Sequence, residues 1–227
     1  MNMNNTSSNT LCSRVVDYVI EQVANKTYNV GDKLPTERDL STQLEVSRVT
    51  VREAMKVLNY LGFVDSTQGS GNYITSTYDK TTSNIMRVMY LRGEVEFSDF
   101  TAFRQMLELQ SFDLAIKNIT REQLTEMEQI VMLLDFTTDK DLIFNLDNRL
   151  HTLLAEASHN SLIIINFHAL TGVINEYMKD TYHQTVNRKV DGFNKLQSYH
   201  HAIVDALSRG DKLKGHQAIK DHFALLR

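Results

Sequence analysis

The residues best suited to chemistry lie in the second half of the chain. All eight histidines follow residue 150. His200 lies on the apolar stripe of a helix predicted over 191–209, and His222 lies between the inner positions of a helix predicted over 211–225. These histidines are ten and eleven residues from the turn at Gly210-Asp211. We therefore expect antiparallel packing of the two helices to bring His200 and His222 together.

A carboxylate and a third histidine share a helical face further upstream. Asp147 and His151 are four residues apart in DLIFNLDNRLHTLLAEA, so they lie one turn apart on a face lined by apolar side chains. A buried aspartate is costly unless it is paired or bound to a cation. One carboxylate and three imidazoles directed into a bundle favour a divalent transition metal. Spacing alone leaves a second interpretation open, in which these are polar groups hydrogen-bonded to one another.

A row of cations marks a short helix in the first third of the chain. In VSRVTVREAMKVL, Arg48, Arg52 and Lys56 recur every four residues, away from the apolar face, and Ser47 precedes them as an N-cap. A helix that enters the major groove presents its first residues to the DNA, and the arginine fork donates two hydrogen bonds to guanine or to a phosphate. The alternative for this pattern alone is a solvated surface helix.

The elements around this helix predict a winged helix-turn-helix. A first helix is expected over about 13–24, and Thr36 with Asp39 has the pattern of a capping box for a second. Gly62 ends the third helix. FVDSTQ and NYITS then form a hairpin, whose GSG tip lets the main chain approach a minor groove.

The fold class predicted for the whole chain is mainly α, with the winged helix followed by an all-helical antiparallel bundle. The expected boundaries are a disordered polar tail at 1–10, a DNA-binding domain at 11–76, a linker at 77–83 and a helical domain at 84–227 that contains the candidate metal ligands. After residue 83 the sequence has no proline, few glycines and no sustained strand alternation. Helical periodicity covers 84–92, 98–118, 121–136, 141–157, 161–186, 191–209 and 211–225.

The winged-helix segment closely resembles a known family. The run LPTERDLSTQLEVSRVTVREAMKVLNYLGFV, followed by GSGNYI, is similar to the DNA-binding domain of the GntR family of bacterial transcription regulators. The resemblance covers about residues 11–75. It implies the following DNA-binding residues: Arg38, Ser47, Arg48, Thr50, Arg52 and Gly69.

The histidine pattern resembles the metal-binding subgroup of the FadR-type C-terminal effector domain, known as FCD. The similarity covers about residues 95–225 and includes Asp147-x3-His151, His-Asn at 159–160 and His200-x21-His222. It implies that Asp147, His151, His200 and His222 hold a divalent metal ion. Zinc is favoured, and manganese, nickel and iron stay open because imidazole and carboxylate suit all four.

The same resemblance implies that the helical domain at 84–227 binds an effector as well as a metal. A small carboxylate would complete the coordination of the metal. By similarity to the family, Arg104 is the candidate residue for binding that carboxylate. Because Arg104 lies four residues before Glu108, the alternative is an Arg–Glu pair on the surface of a helix.

These resemblances together imply a repressor that binds palindromic operator DNA as a homodimer. Effector binding would change the relative placement of the two winged helices and so the affinity for the operator. Three alternatives stay open: a metal-independent regulator that responds to an acyl-CoA-type effector, a metal-dependent hydrolase, and a purely structural DNA-binding protein. No general base has a clear position relative to the metal ligands, so we expect no enzyme.

Composition narrows the class of protein further. There is no apolar run of about 18 residues, so no membrane span is expected, and MNMNNTSSNT lacks the features of a secretory signal. The single cysteine, Cys12, cannot form an internal disulfide and fits a reducing, cytoplasmic location. Residues 1–76 carry seven Lys/Arg and eight Asp/Glu, so DNA contacts must come from a local patch.

Overall fold

The computed structural model describes residues 3–67, 69–180, 184 and 192–225. The chain forms two compact units, Met1–Thr81 and Thr82–Arg227. The fold is mainly helical, with a small β wing in the first unit and a helical bundle in the second, as the sequence predicts. Within the described residues, no helix combines the length and the apolar character needed to cross a membrane.

The first unit is a winged helix-turn-helix. Its elements are α1 (Met3–Ala24), α2 (Glu37–Leu44), α3 (Arg48–Tyr60), β1 (Val64–Thr67) and β2 (Gly71–Ile74). The strands are antiparallel, with Val64 opposite Ile74, and Lys33 forms an isolated bridge to Tyr73. The core of this unit consists of the following buried residues: Val15, Val19, Leu34, Leu40, Val46, Val51, Ala54, Met55, Leu58, Val64 and Ile74.

Local capping sets where α2 and α3 begin and where α3 ends. The hydroxyl of Thr36 accepts a hydrogen bond from the backbone N–H of Asp39 at 3.2 Å. Ser47 caps α3 by accepting from the N–H of Thr50 at 3.1 Å. Gly62 follows α3 with a φ of +69°, and a Cβ there would lie 2.6 Å from the carbonyl oxygen of Thr77. Glycine is therefore required at this helix stop.

Two helices extend beyond the predicted boundaries. α1 begins at Met3, so residues 3–10 of the expected tail belong to this helix. No proline or glycine interrupts that segment, so nothing in it stops the helix from extending. The fourth helix, α4 (Tyr78–Leu91), begins inside the expected linker at 77–83 and contains the boundary between the two units.

The second unit continues as a helical bundle. After α4 come α5 (Phe97–Asn118), α6 (Arg121–Phe136), α7 (Lys140–Ala157), α8 (Ser161–Val173), a π-helical turn (Ile174–Met178), α9 (Gly192–Arg209) and α10 (Lys212–Ala224). These bounds lie close to the predicted segments. In the predicted segment 161–186, helical structure is described as far as residue 180, and residues 181–183 and 185–186 lie outside the described part.

The core of the bundle is formed by the inward faces of α5 to α10. Its largest fully buried side chains are those of Phe112, Met127, Leu134, Leu150, Leu153, Leu154, Phe167, Leu170 and Phe223. α5 packs on α7, α8, α9 and α10, while α9 packs on α6 and α10. This arrangement surrounds α5 with other helices, so its polar residues on those faces are buried.

Candidate DNA interface and metal centre

The N-terminal end of α3 presents the predicted DNA-reading residues to solvent. Arg48 is the first residue of the helix and is exposed, and Arg38 is exposed on α2. The guanidinium of Arg52 is held by Glu37, with its NH2 group 3.0 Å from Oε2. Because 56% of the Arg52 side chain stays exposed, part of its fork still faces solvent. Because Glu37 lies 15 positions away on another helix, helical spacing does not predict this contact.

The remaining predicted DNA-binding residues shape the backbone around those arginines. Thr50 is only 9% exposed, and its hydroxyl lies 2.8 Å from that of Ser47. Both side chains therefore stabilise the start of α3. Gly69 lies at the wing tip with a φ of +79°, and a Cβ there would meet no atom within 4 Å. The tip thus leaves open space beside the main chain.

Four buried side chains converge in the second unit. Asp147 and His151 come from α7, His200 comes from α9, and His222 comes from α10. One potential ligand atom from each lies within 4.8 Å of the other three, and no side chain is more than 1% exposed. His200 and His222 meet as predicted, with their Nε2 atoms 3.0 Å apart.

Asp147 is the anionic member of this cluster. Its Oδ1 lies 3.2 Å from Nε2 of His200 and 3.9 Å from Nε2 of His151. Burial alone would raise the pKa of the Asp147 carboxyl, but the hydrogen bond with His200 and the nearby His151 and Arg104 hold it below its usual value. The aspartate is therefore ionised and available as a ligand.

Two of the imidazoles, those of His151 and His222, favour the uncharged form that binds a cation. Burial lowers the pKa of His151 and of His222 well below the usual value for histidine. Nε2 of His151 and Nδ1 of His222 are buried and have no hydrogen-bond partner within the described residues. Buried polar atoms without a partner are rare in folded proteins. A divalent metal ion would give the unsatisfied Nε2 of His151 a partner, so this donor set fits a metal.

Outer residues hold two of the histidines in place. Glu108 Oε2 lies 2.7 Å from Nδ1 of His151, and Gln197 Oε1 lies 3.3 Å from Nδ1 of His200. Glu108 also accepts a hydrogen bond from Nε of Arg104 at 2.9 Å. Such outer contacts are typical of metal-ligating histidines, because they fix the ring orientation.

Arg104 lies beside this cluster. Its side chain is only 4% exposed, and its NH2 group lies 3.7 Å from Oδ2 of Asp147. The guanidinium also faces the ring of Phe167 at 5.6 Å. The alternative of a surface Arg–Glu pair is therefore wrong, because the pair with Glu108 is buried. Burial raises the pKa of Glu108, and the adjacent Arg104 opposes that change.

Sequence reasoning missed Glu108 and Gln197 as partners of the histidines. A signal was present for Glu108, since Phe112 and Ala115 continue its face along α5. His201 and His216, which the sequence places away from the inner face, lie outside the donor cluster and contact Asp135 at 2.9 Å and Asp113 at 2.7 Å.

A winged helix followed by a helical bundle with a buried donor cluster defines a class of bacterial DNA-binding regulator. The model of the FCD domain matches residues 99–225, and the model of the bacterial regulatory proteins of the gntR family matches residues 11–74. The chain therefore belongs to the GntR family and carries an FCD domain. It is a DNA-binding transcription regulator and not an enzyme.

Individual relatives agree with this assignment. The chain is 28% identical over 220 residues to a protein of Escherichia coli (strain K12) named as a regulatory protein of the L-lactate dehydrogenase operon. This match covers 95% of this chain and 84% of that protein. It is 25% identical over 201 residues to the HTH-type transcriptional regulator LutR of Bacillus subtilis (strain 168), covering 88% and 92%. The solved structure of Streptococcus agalactiae GntR has the same fold, with a TM-score of 0.70 and 23% identity over 94% of this chain and 97% of that one.

Proposed function

We propose that the protein is a repressor that binds palindromic operator DNA as a homodimer and responds to a small carboxylate metabolite. The effector binds at a divalent metal ion held by Asp147, His151, His200 and His222. The observation that carries this proposal is the convergence of these four donors within 4.8 Å in the bundle core. A core that only needed stability would not bury three histidines and an aspartate together.

Charge balance supports both the metal and the carboxylate. Asp147, Glu108 and Arg104 bring two negative charges and one positive charge into a region excluded from water. With both carboxylates ionised and the imidazoles neutral, their sum is one negative charge, which is unfavourable in a low-dielectric core. A divalent cation changes the sum to one positive charge, and a singly charged carboxylate then brings it to zero. Arg104 is the residue we assign to the effector carboxylate.

Zinc is the metal we favour, with manganese, nickel and iron as the other candidates. Three imidazoles and one carboxylate match the donors that zinc prefers. When bound, the ion would supply a Lewis-acidic centre, and a carboxylate oxygen could add to it as a further ligand because zinc can expand to five ligands. The protein residues position the ion, exclude water and present Arg104 beside it.

The DNA-binding residues that we propose lie at one end of the winged helix. Arg48 and Arg52 read the major groove or bind phosphates, Arg38 binds the backbone, and the wing tip at Gly69 approaches the minor groove. Ser47 and Thr50 form the start of α3 that directs these arginines. A homodimer places two such surfaces on the two halves of a palindrome. Because it acts on bacterial DNA, we assign the protein to the cytoplasm.

Effector control then follows from linkage. A carboxylate that binds one conformation of the dimer better than the other shifts the equilibrium between them, and with it the affinity for the operator. The name of the Escherichia coli relative refers to L-lactate, which is itself a small carboxylate. That name supports carboxylates as the class of effector to test first.

The test is selection of genomic DNA fragments by the purified protein at physiological salt, followed by footprinting. Recovery of a palindrome upstream of a few genes is the expected result, and the substrates of those genes nominate the effector. Recovery of fragments without a shared sequence would indicate salt-sensitive backbone binding alone and would contradict the proposal.

The metal is tested separately. The protein is purified without chelators or metal-affinity steps, and its metal content is measured. About one zinc, manganese, nickel or iron ion per chain is the expected result. A metal-free protein that still responds to acyl-CoA-type effectors would favour the metal-independent alternative.

A further inference from the structure

Glu108 contacts a proposed metal ligand without belonging to the donor cluster. It is fully buried on α5, and its two carboxylate oxygens contact different partners, namely His151 and Arg104. We propose that Glu108 is a positioning residue that fixes the tautomer of His151, so that its Nε2 lone pair faces the metal. This inference rests on the proposed metal site, and its test separates the two.

The argument begins with the two nitrogens of His151. A neutral imidazole carries one N–H, and the other nitrogen is a lone-pair acceptor. Nδ1 lies 2.7 Å from Oε2 of Glu108, whereas Nε2 faces Asp147 Oδ1 at 3.9 Å. The Glu108 carboxylate forms a buried ion pair with the guanidinium of Arg104 at 2.9 Å, and as its partner in that pair it accepts hydrogen bonds, so it places the proton of His151 on Nδ1. The lone pair of Nε2 is then free for a cation.

Arg104 prevents Glu108 from taking a different role. A guanidinium can only donate hydrogen bonds, and Nε of Arg104 donates to Oε1 of Glu108 at 2.9 Å. Its positive charge compensates the buried carboxylate. Both carboxylate oxygens of Glu108 therefore accept a hydrogen bond, one from Arg104 and the other from His151.

This arrangement predicts a specific result for Glu108→Gln, which keeps the shape of the side chain. Arg104 still requires an acceptor, so the amide oxygen faces it and the NH2 group faces Nδ1 of His151. An NH2 group can only donate, so Nδ1 must accept and the proton moves to Nε2. The nitrogen that should bind the metal then carries a proton.

The experiment compares the wild-type protein, Glu108→Gln and Glu126→Gln. Glu126 is a suitable control because it also pairs with an arginine of the bundle, Arg149, at 2.7 Å, but it does not contact the donor cluster. Two quantities are measured: the tautomer of His151 in the metal-free protein, by long-range ¹H–¹⁵N NMR, and the dissociation constant for zinc, by competition with a chelator.

The expected result is an Nδ1–H tautomer in the wild type and in Glu126→Gln, and an Nε2–H tautomer in Glu108→Gln. The zinc dissociation constant rises about 10- to 100-fold in Glu108→Gln only, the range usual for loss of an outer-shell partner. Glu108→Asp, which keeps an acceptor-only group, retains the wild-type tautomer and recovers part of the affinity.

Other outcomes overturn one or the other proposal. An Nε2–H tautomer in the wild type, or an unchanged tautomer and zinc affinity in Glu108→Gln, would overturn the positioning role. A wild-type protein that takes up no metal overturns the proposed metal site, while the tautomers still decide the role of Glu108. If Glu108→Gln does not fold, the tautomer of the wild type and the zinc affinity of Glu108→Asp decide.

Discussion

The two units each contain an Arg–Glu pair beside their functional residues, in opposite environments. In the winged helix, Arg52 and Glu37 pair at the surface, with 56% and 27% of their side chains exposed. In the bundle, Arg104 and Glu108 pair at 2.9 Å with 4% and 0% exposed. The same chemical pair is therefore used once on the surface of the protein and once in its core.

This difference bears on the ligand that we propose for each unit. A surface pair is weak and screened by salt, so Arg52 can exchange Glu37 for a DNA phosphate at little cost. A buried pair has lost its hydration and depends on its neighbours. The charges of the bundle therefore form one network with the histidines, and changes there should have larger effects than changes in the winged helix.

The largest effect is expected from His200→Ala. His200 lies within about 3 Å of both Asp147 and His222, so its loss removes a central donor. We expect the zinc dissociation constant to rise by more than about 100-fold, beyond the range for an outer-shell residue. Chelator competition measures this constant. The adjacent His201, which pairs with Asp135 near the surface, is the control, and an equal loss in His201→Ala would contradict the proposed site.

Arg48→Ala should have the next largest effect, on DNA binding alone. Loss of a base-contacting arginine costs about 1–3 kcal/mol, or roughly 5- to 150-fold in affinity. Binding to the selected fragment is measured by fluorescence anisotropy at fixed salt, with zinc affinity unchanged. Lys56→Ala serves as the control, because Lys56 lies two turns later and already pairs with Glu53 at 2.9 Å. If both variants bind equally well, Arg48 does not read the operator.

Gly215→Ala should have a moderate effect, on stability. A Cβ at position 215 would overlap the buried ring of Phe112. Overpacking costs about 1–3 kcal/mol and outweighs the roughly 1 kcal/mol that alanine gains in a helix. We expect the midpoint of thermal unfolding to fall by several degrees. Lys220→Ala, an exposed change in the same helix, should leave it unchanged. A Gly215→Ala protein as stable as wild type would show that the bundle is loosely packed there.

The smallest effect is expected from Glu37→Gln. Removal of this exposed negative charge leaves the fold stable and releases Arg52, so affinity for any DNA should rise by less than about fivefold. The increase should be greatest at low salt, because the charges are screened at high salt. Titrations at two salt concentrations measure the change. Weaker binding, on the scale of Arg48→Ala, would show that Glu37 instead holds Arg52 in its reading position.

Sequence determined the local elements and which residues face inward. Helix periodicity depends on neighbours three and four positions apart, so α5 to α7 were predicted to within one residue of their observed bounds. The same local rule, with the turn before α10, was enough to pair His200 with His222. The start of α1 was missed because a polar segment carries no periodic signal.

Only the tertiary structure decided the environment of individual polar residues. A spacing of four residues on a helix places Arg104 beside Glu108 whether the pair is exposed or buried. Packing of α7, α8, α9 and α10 around α5 buries the pair, and it brings Glu108 to a histidine 43 positions away. Burial depends on contacts between segments that are distant in sequence. The same contacts determine whether a charged side chain is hydrated or needs an ion pair or hydrogen bond inside the protein. The sequence therefore indicated the four candidate donors, and the fold determined the burial and the neighbouring charges that shift the pKa values of Asp147, His151 and His222.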